Sequence, residues 1–93
     1  MPKIVVTAKC KDQAASEKGF RTHAELFRTA YGISKPVSYG MGENNHVAAC
    51  FESNDLPKFM SAIALPETAE AMEGDGLHRD TVKVFVFDKE LAV

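Results

Sequence analysis

Four stretches of the chain alternate apolar and polar residues with the period of two that is typical of a half-buried β-strand. These stretches are Ile4–Cys10, Val37–Met41, His46–Glu52 and Thr81–Phe87. Two further stretches, Ala14–Tyr31 and Leu56–Met72, instead repeat apolar residues every three or four positions, as a helix packed on a core does. The order of the six stretches predicts a βαββαβ chain.

Local signals support the ends of these predicted elements. Asp12 is a good N-cap for the first helix, and Gly32 suits the position after its last turn. Asn44 and Asn45 tolerate a positive φ, so the short segment between the second and third strands is expected to close a hairpin. The two central strands are therefore predicted to be antiparallel neighbours.

The second helical stretch is interrupted by a proline. Pro57 fits the first turn of a helix, where its missing N–H is not needed. Pro66 cannot lie inside the same continuous helix, but it can begin a new one. We therefore predict a helix, a kink, and a second short helix over Glu67–Met72.

These elements predict one fold for residues 1–93. Right-handed crossovers place both helical stretches on one side of a four-stranded antiparallel sheet with the strand order 4-1-3-2. Each strand offers an apolar face to the helices. The sequence therefore predicts a single ferredoxin-like α+β domain.

The face of the sheet opposite the helices is predicted to be partly apolar. Val5, Phe85 and Phe87 lie on it, together with Cys50 and several charged residues. An exposed group of large apolar side chains is unfavourable in water. The simplest way to cover it is a second copy packed sheet against sheet, so we expect a homodimer through this face.

Composition restricts the classes of partner. The formal net charge is −2 and the charges are interleaved, which disfavours nucleic acid and anionic membrane as partners. No apolar stretch is long enough to span a membrane, and no secretory signal is visible. Cys10 and Cys50 are far apart and are predicted on opposite faces of the sheet, which favours free thiols. We expect a cytoplasmic protein.

The segment Leu56-Pro57-Lys58-Phe59-Met60, followed by Leu65-Pro66-Glu67 and Ala71-Met72, resembles the dimeric α+β barrel superfamily in its kinked second helix. The element order and the mixed open face resemble that group too. It includes antibiotic-biosynthesis-type monooxygenases and muconolactone-isomerase-like proteins. The resemblance implies a barrel closed across a dimer, with a pocket between each subunit's sheet and helices.

The resemblance also implies an activity. It points to cofactor-independent oxygenation or isomerisation of a small aromatic or polyketide-like compound, with a base that removes a proton and a hydroxyl that holds the oxyanion. Fold alone does not decide chemistry. A non-catalytic module that binds or senses a ligand, and a purely structural assembly domain, are the alternatives.

Three residues are the candidates for catalysis: His23, His78 and Tyr39. His23 lies beside the apolar stripe of the first helix, where it is either a base facing a pocket or a histidine at the core edge. His78 follows a glycine-rich turn and is either a catalytic group or a solvated loop residue. Tyr39, like Tyr31, is either an oxyanion donor or a core aromatic with a satisfied hydroxyl.

Other chemistries lack their motifs. His46, Cys50 and Glu52 have metal-ligand side chains, but their spacing along a strand spreads them over about 20 Å, so no metal site is predicted. The chain has no CxxC pair, phosphate-binding glycine loop or RNA-stacking aromatic motif. No bound cofactor is predicted either.

Overall fold

The structure is a computed structural model that describes residues 3–93. Within these residues, four strands and four helices follow one another, and a short 3-10 helix, Arg79–Thr81, precedes the last strand. In chain order the elements are β1 (Lys3–Lys9), α1 (Gln13–Arg21), α2 (Ala24–Ala30), β2 (Ser38–Met41), β3 (His46–Glu52), α3 (Leu56–Ile63), α4 (Pro66–Gly74) and β4 (Lys83–Phe87).

The strands form one antiparallel sheet in the order β2-β3-β1-β4, which confirms the predicted topology. The register also confirms the two predicted faces. Val5 lies opposite Cys50 on one side and Phe85 on the other, on the face away from the helices. The preceding residue, Ile4, is fully buried on the helix-covered face.

The first helical stretch is two helices rather than the single helix that its periodicity predicts. The break falls at Thr22 and His23, where the Thr22 hydroxyl donates to the Gly19 carbonyl at 2.6 Å. Glycine and threonine are both poor helix formers in a helix interior. The apolar period runs through the break because both pieces keep their aromatic residues on the sheet, so the pattern cannot reveal it.

The predicted ends of the helices are confirmed. Asp12 accepts a hydrogen bond from the N–H of Ala14 at the start of α1. Gly32 has a φ of +71°, and the following N–H donates to the Phe27 carbonyl, as in a Schellman cap. Pro66 begins α4, so the predicted break in the second helical stretch is also correct.

The last strand begins later than its alternation predicts, at Lys83 rather than at Thr81. The Thr81 hydroxyl donates to the His78 carbonyl at 2.6 Å and accepts from the N–H of Lys9 at 2.9 Å. A threonine side chain that bonds nearby backbone competes with strand pairing. The residues before β4 therefore form a tight turn that closes against the end of β1.

The core lies between the sheet and the helices and is rich in aromatic rings. Phe59 is fully buried, and its ring centroid lies 5.3 Å from those of both Tyr31 and Phe51. These tilted and edge-on contacts have the spacing at which aromatic pairs attract one another. This end of the sheet–helix interface is tightly packed.

Candidate functional site

An apolar cavity lies between the sheet and the helices, with Tyr31 and Phe59 of the packed end on one side of it. His23 and Tyr39 line its other side, which is the cavity end of the interface. The volume of the cavity is about 80 Å³, counted as the space that the centre of a water molecule can occupy. Val6 and Ala49 line it from the sheet, and Phe27 and Met72 line it from the helices. The space is several times what one water molecule needs, and its walls are mostly hydrocarbon. Its hydrocarbon walls suit a small apolar ligand, and an aromatic ring enters only if side chains in the wall move, because benzene itself fills a cavity of about 150 Å³.

His23 and Asp75 form a polar pair in the wall of this cavity. The Nε2 atom of His23 lies 3.1 Å from Oδ2 of Asp75 and 3.4 Å from Oδ1. The two side chains are only 24% and 13% exposed, so the pair is largely shielded from water. The break between α1 and α2 supplies the histidine, and the residue that caps the C-terminus of α4 supplies the carboxylate.

The surroundings of Asp75 hold its carboxylate in place. Gly19 leaves the room for it, because a Cβ at that position would collide with the Asp75 carboxylate. The hydroxyl of Ser16 donates to the Asp75 carbonyl at 2.6 Å. No basic residue lies in the last turn of α4, and the side chain that faces the Asp75 carboxylate is that of His23.

The pair has the geometry of a base and the residue that orients it. When Nε2–H of a neutral imidazole donates to a carboxylate, the tautomer is fixed and Nδ1 is left to accept a proton. The same carboxylate stabilises the imidazolium that forms after proton transfer. His23 is therefore equipped to remove a proton, with Asp75 as its positioning residue.

Tyr39, on the edge strand β2, also lines this cavity. Its ring lies against that of Phe20, with the centroids 5.0 Å apart. Burial raises the pKa of Tyr39, and Cys10, Glu17 and Asp75 add to the rise electrostatically. The hydroxyl consequently stays protonated near neutral pH and can donate to a negatively charged oxygen.

Tyr31 also lines the cavity, but its hydroxyl is already engaged. It is hydrogen-bonded to the hydroxyl of Thr68, which in turn donates to the Ala62 carbonyl at 2.7 Å. Burial raises the pKa of Tyr31, and the hydrogen bond to Thr68 opposes that rise. Of the two interpretations of this residue, the structure supports the core aromatic with a satisfied hydroxyl.

The structure brings two of the three predicted site residues together. His23 and Tyr39 line one cavity, whereas His78 is exposed beside the 3-10 helix and is not among the lining residues. His46 is also exposed, and its Nδ1 atom lies 2.9 Å from the Glu43 carbonyl. A catalytic role for His78 stays a prediction from the sequence alone.

Sequence reasoning missed Asp75 and the role of Gly19. The only local signal for Asp75 is its position between two glycines, Gly74 and Gly76, which reads as turn chemistry. Its partner His23 is 52 residues away in the chain, so only the tertiary fold joins them.

Two features that residues 3–93 lack bear on the kind of site. No group of three or more His, Cys, Asp or Glu side chains in this range is arranged to hold a metal ion. None of the helices there combines the length and the hydrophobicity needed to cross a membrane.

The fold of this chain is similar to that of one class of solved structure. No protein-family model matches the sequence, and no curated protein matches it significantly. Solved structures do match: their common fold is the ferredoxin-like α+β fold of antibiotic-biosynthesis-type monooxygenases. The predicted fold class and the predicted resemblance are therefore confirmed at the level of structure.

Three of these structures illustrate the likeness. A Bordetella bronchiseptica protein assigned to the antibiotic biosynthesis monooxygenases has a TM-score of 0.75 at 14% identity, over 97% of each chain. SnoaB, a cofactor-independent oxygenase from Streptomyces nogalater, has 0.68 at 18%, over 99% of this chain and 95% of its own. The ActVA-Orf6 monooxygenase of Streptomyces coelicolor, solved with nanaomycin D, has 0.64 at 19%, over 99% and 89%. At such identities the likeness establishes the fold, and function needs an argument from the site.

Proposed function

We propose that this protein is a cofactor-independent oxygenase that acts on a small aromatic compound, with the cavity as its active site. The observation that carries the proposal is that one apolar cavity is lined by an oriented histidine, His23 with Asp75, and by Tyr39. The solved structures of similar fold support it, since SnoaB is a cofactor-independent oxygenase and the ActVA-Orf6 monooxygenase was solved with the ligand nanaomycin D.

The residues suit a substrate with an acidic C–H next to a carbonyl group. His23 removes the proton, Tyr39 donates a hydrogen bond to the resulting enolate oxygen, and the electron-rich carbanion reacts with dissolved O₂. Overall, a methylene carbon loses two hydrogens and becomes a carbonyl that contains one atom of O₂. The other oxygen atom leaves as water together with those two hydrogens.

The apolar walls favour this chemistry in two ways. Hydrogen bonds and charges are stronger where water is excluded, so one tyrosine hydroxyl stabilises an oxyanion more effectively there than in solution. Hydrocarbon walls also bind an aromatic ring without competing for its polar groups. The site supplies binding, orientation and one proton acceptor.

We also propose that the working unit is a homodimer formed through the open face of the sheet. Phe85 and Phe87 are 49% and 54% exposed in the single chain and lie on the same face as Val5. Light scattering is expected to give about twice 10.2 kDa at micromolar concentration. Phe85→Lys is expected to give the monomer, whereas a wild-type monomer contradicts the proposal.

The free thiols Cys10 and Cys50 support a cytoplasmic location.

Oxygen uptake with anthrone tests the activity, because anthrone is an uncharged aromatic compound with an acidic methylene beside a carbonyl-bearing ring system. We expect O₂ consumption and, with ¹⁸O₂, one labelled atom in the quinone product. His23→Gln is expected to lower the turnover rate by about 10²-fold or more, as loss of a general base does. His78→Gln is the matched control and should keep the wild-type rate, since that exposed ring lies outside the cavity.

The other outcomes identify the alternatives. Exchange of the methylene hydrogens with D₂O, without O₂ uptake, would support proton removal by a base in the site but would indicate an isomerase rather than an oxygenase. Binding of anthrone without exchange or uptake would favour a ligand-binding module. Equal rates in wild type, His23→Gln and Tyr39→Phe would contradict the proposed site.

A further inference from the structure

A second concave surface adjoins the cavity and opens to solvent. It is a groove of about 660 Å³ between the outer side of α1 and α2 and the segment 33–37 that leads into β2. Three aromatic residues, Phe20, Phe27 and Tyr39, line both the groove and the cavity. The ring of Phe20 packs against both of the others with centroid distances of 5.0 Å. A wall one ring thick therefore separates the groove from the cavity.

The rim of this groove is positively charged. Arg21, Arg28 and Lys35 line it, against one carboxylate, Glu17. Two of these cations already have partners: Arg21 lies 3.2 Å from Glu17, and Lys35 lies 3.0 Å from Glu52. Within residues 3–93, Arg28 makes no ion pair with a carboxylate. A chain with a net charge of −2 thus carries a local cationic rim beside its apolar cavity.

We propose that the groove is a recognition site for the carboxylate of an aromatic acid, and that the acid's ring enters the cavity past Phe20. This inference rests on the proposed function in one respect, namely that the cavity holds the aromatic ring. Arg28 is then the specificity-determining residue, because its planar guanidinium can bind a carboxylate through two parallel hydrogen bonds. The substrate class is narrowed from small aromatic compounds to aromatic carboxylates.

The arrangement matches the two parts of such a ligand. An aromatic ring gains from transfer into a hydrocarbon-lined cavity, whereas its carboxylate loses hydration if it follows. Placing the cation at the solvent-exposed groove leaves the carboxylate partly hydrated and still paired. The shared aromatic wall puts the two sites next to each other, so one small molecule can occupy both once the half-buried Phe20 ring has turned aside.

A pair of matched ligands tests this inference. Naphthalene-2-carboxylate and naphthalene-2-carboxamide have the same ring and nearly the same shape, but only the first is charged. We expect both to bind the wild-type protein in fluorescence titrations and to compete with each other, because they share the ring site. Arg28→Gln is expected to lower the affinity for the carboxylate by about fivefold, which is the effect of losing a partly exposed ion pair, and to leave the affinity for the amide unchanged.

Two controls make the comparison specific. Arg79→Gln removes an exposed arginine whose partner is Glu73 on α4 and which does not line the groove, and it should change neither affinity. Arg28→Lys should restore part of the lost affinity, because it keeps the charge but not the paired hydrogen bonds. The selectivity for the carboxylate should also fall as salt is raised, since the groove is open to solvent.

Several results would overturn the inference. One is that Arg28→Gln lowers the affinity for both ligands equally, or lowers neither affinity. If both ligands still bind the wild type in that case, the cavity and the proposed function stand. Another is binding of the carboxylate without competition from the amide, because the ring would then lie outside the cavity. Failure of both naphthalenes to bind would also overturn it, while oxygen uptake with uncharged anthrone would still decide the proposed function separately.

Discussion

The two ends of the sheet–helix interface hold the same kinds of residue in opposite circumstances. At the packed end, Tyr31 is 4% exposed and its hydroxyl bonds to Thr68. At the cavity end, Tyr39 is half-buried against Phe20, and no hydrogen bond from a residue in the range 3–93 offsets the rise in its pKa. One tyrosine is committed to the fold, and the other has a hydroxyl free to meet a ligand.

The polar groups at the two ends differ in the same way. At the packed end, the hydroxyl of Ser53 lies 3.1 Å from the carbonyl oxygens of Tyr31 and Asp55, which share its one hydrogen, and it accepts from the N–H of Asp55. At the cavity end, His23 and Asp75 satisfy each other through one imidazole nitrogen and leave the second nitrogen for chemistry. Residue type therefore does not distinguish a structural group from a functional one in this fold, whereas the number of occupied hydrogen-bond sites does.

The largest expected effect is on stability at the packed end. Phe59→Ala removes a fully buried ring that contacts Tyr31 and Phe51, and it is expected to lower the free energy of unfolding by about 3–5 kcal/mol. Phe20→Ala is the matched change at the cavity end and should cost less than half as much, because that ring is only half-buried. Urea unfolding followed by circular dichroism measures both. Equal losses of unfolding free energy in the two variants would show that the two ends do not differ in packing.

The next effect is on activity through Gly19. Gly19→Ala places a methyl group where the Asp75 carboxylate lies, so it is expected to displace Asp75 from His23 and lower turnover about tenfold. Nitrogen-15 spectra of the imidazole should show the Nε2–H tautomer in the wild type and a mixture in the variant. A change in tautomer is not expected from a merely structural role, so an unaltered imidazole spectrum with full activity would contradict the positioning role of Asp75.

A smaller effect separates the two tyrosines directly. Tyr31→Phe removes a buried hydroxyl that bonds Thr68 and is expected to cost about 1 kcal/mol of unfolding free energy, with little change in ligand binding. Tyr39→Phe should cost less than about 0.5 kcal/mol, the usual range for a change that breaks no buried contact, but should lower turnover. Both losses are measured by urea unfolding. A larger loss in Tyr39→Phe than in Tyr31→Phe would show that Tyr39, and not Tyr31, has the structural hydroxyl.

The smallest effect is the dependence of stability on alkaline pH. Burial raises the pKa of both Tyr31 and Tyr39 above the value of 10.0 for an unperturbed tyrosine. A raised pKa in the folded state means that the contribution to stability is complete below pH 10 and is lost as pH rises through the folded-state pKa. Unfolding free energies measured between pH 9 and pH 11 should therefore decline less steeply in either Tyr→Phe variant. A steeper decline than in wild type would contradict the direction of the shift.

Much of the fold was predictable because its signals are local or periodic. The alternation in His46–Glu52 gives β3 with its observed bounds, and Pro66 marks the start of α4. The break at Thr22 was not predictable from periodicity, because the aromatic stripe continues across it. The later start of β4 depends on the hydrogen bond from the Lys9 N–H to the Thr81 hydroxyl, which no local pattern reveals.

The candidate site was predictable only in part. His23 and Tyr39 stand beside apolar stripes, so their positions near the core follow from the sequence. The contacts of Asp75 depend on the tertiary fold and on the absence of a side chain at Gly19, which is a negative feature that a sequence pattern does not display. The cationic groove likewise joins Arg28 to Lys35 only after the chain has folded.

The central claim is that the cavity end of this interface binds an aromatic ring beside His23 and Tyr39. Intermolecular nuclear Overhauser effects from bound 1-naphthol, an uncharged ligand, to assigned methyl groups test it most directly. We expect contacts to Val6, Val47 and Ala49, which line the cavity, and a chemical-shift change at the His23 imidazole. Contacts to Val5, on the open face of the sheet, with no change at His23 would contradict it.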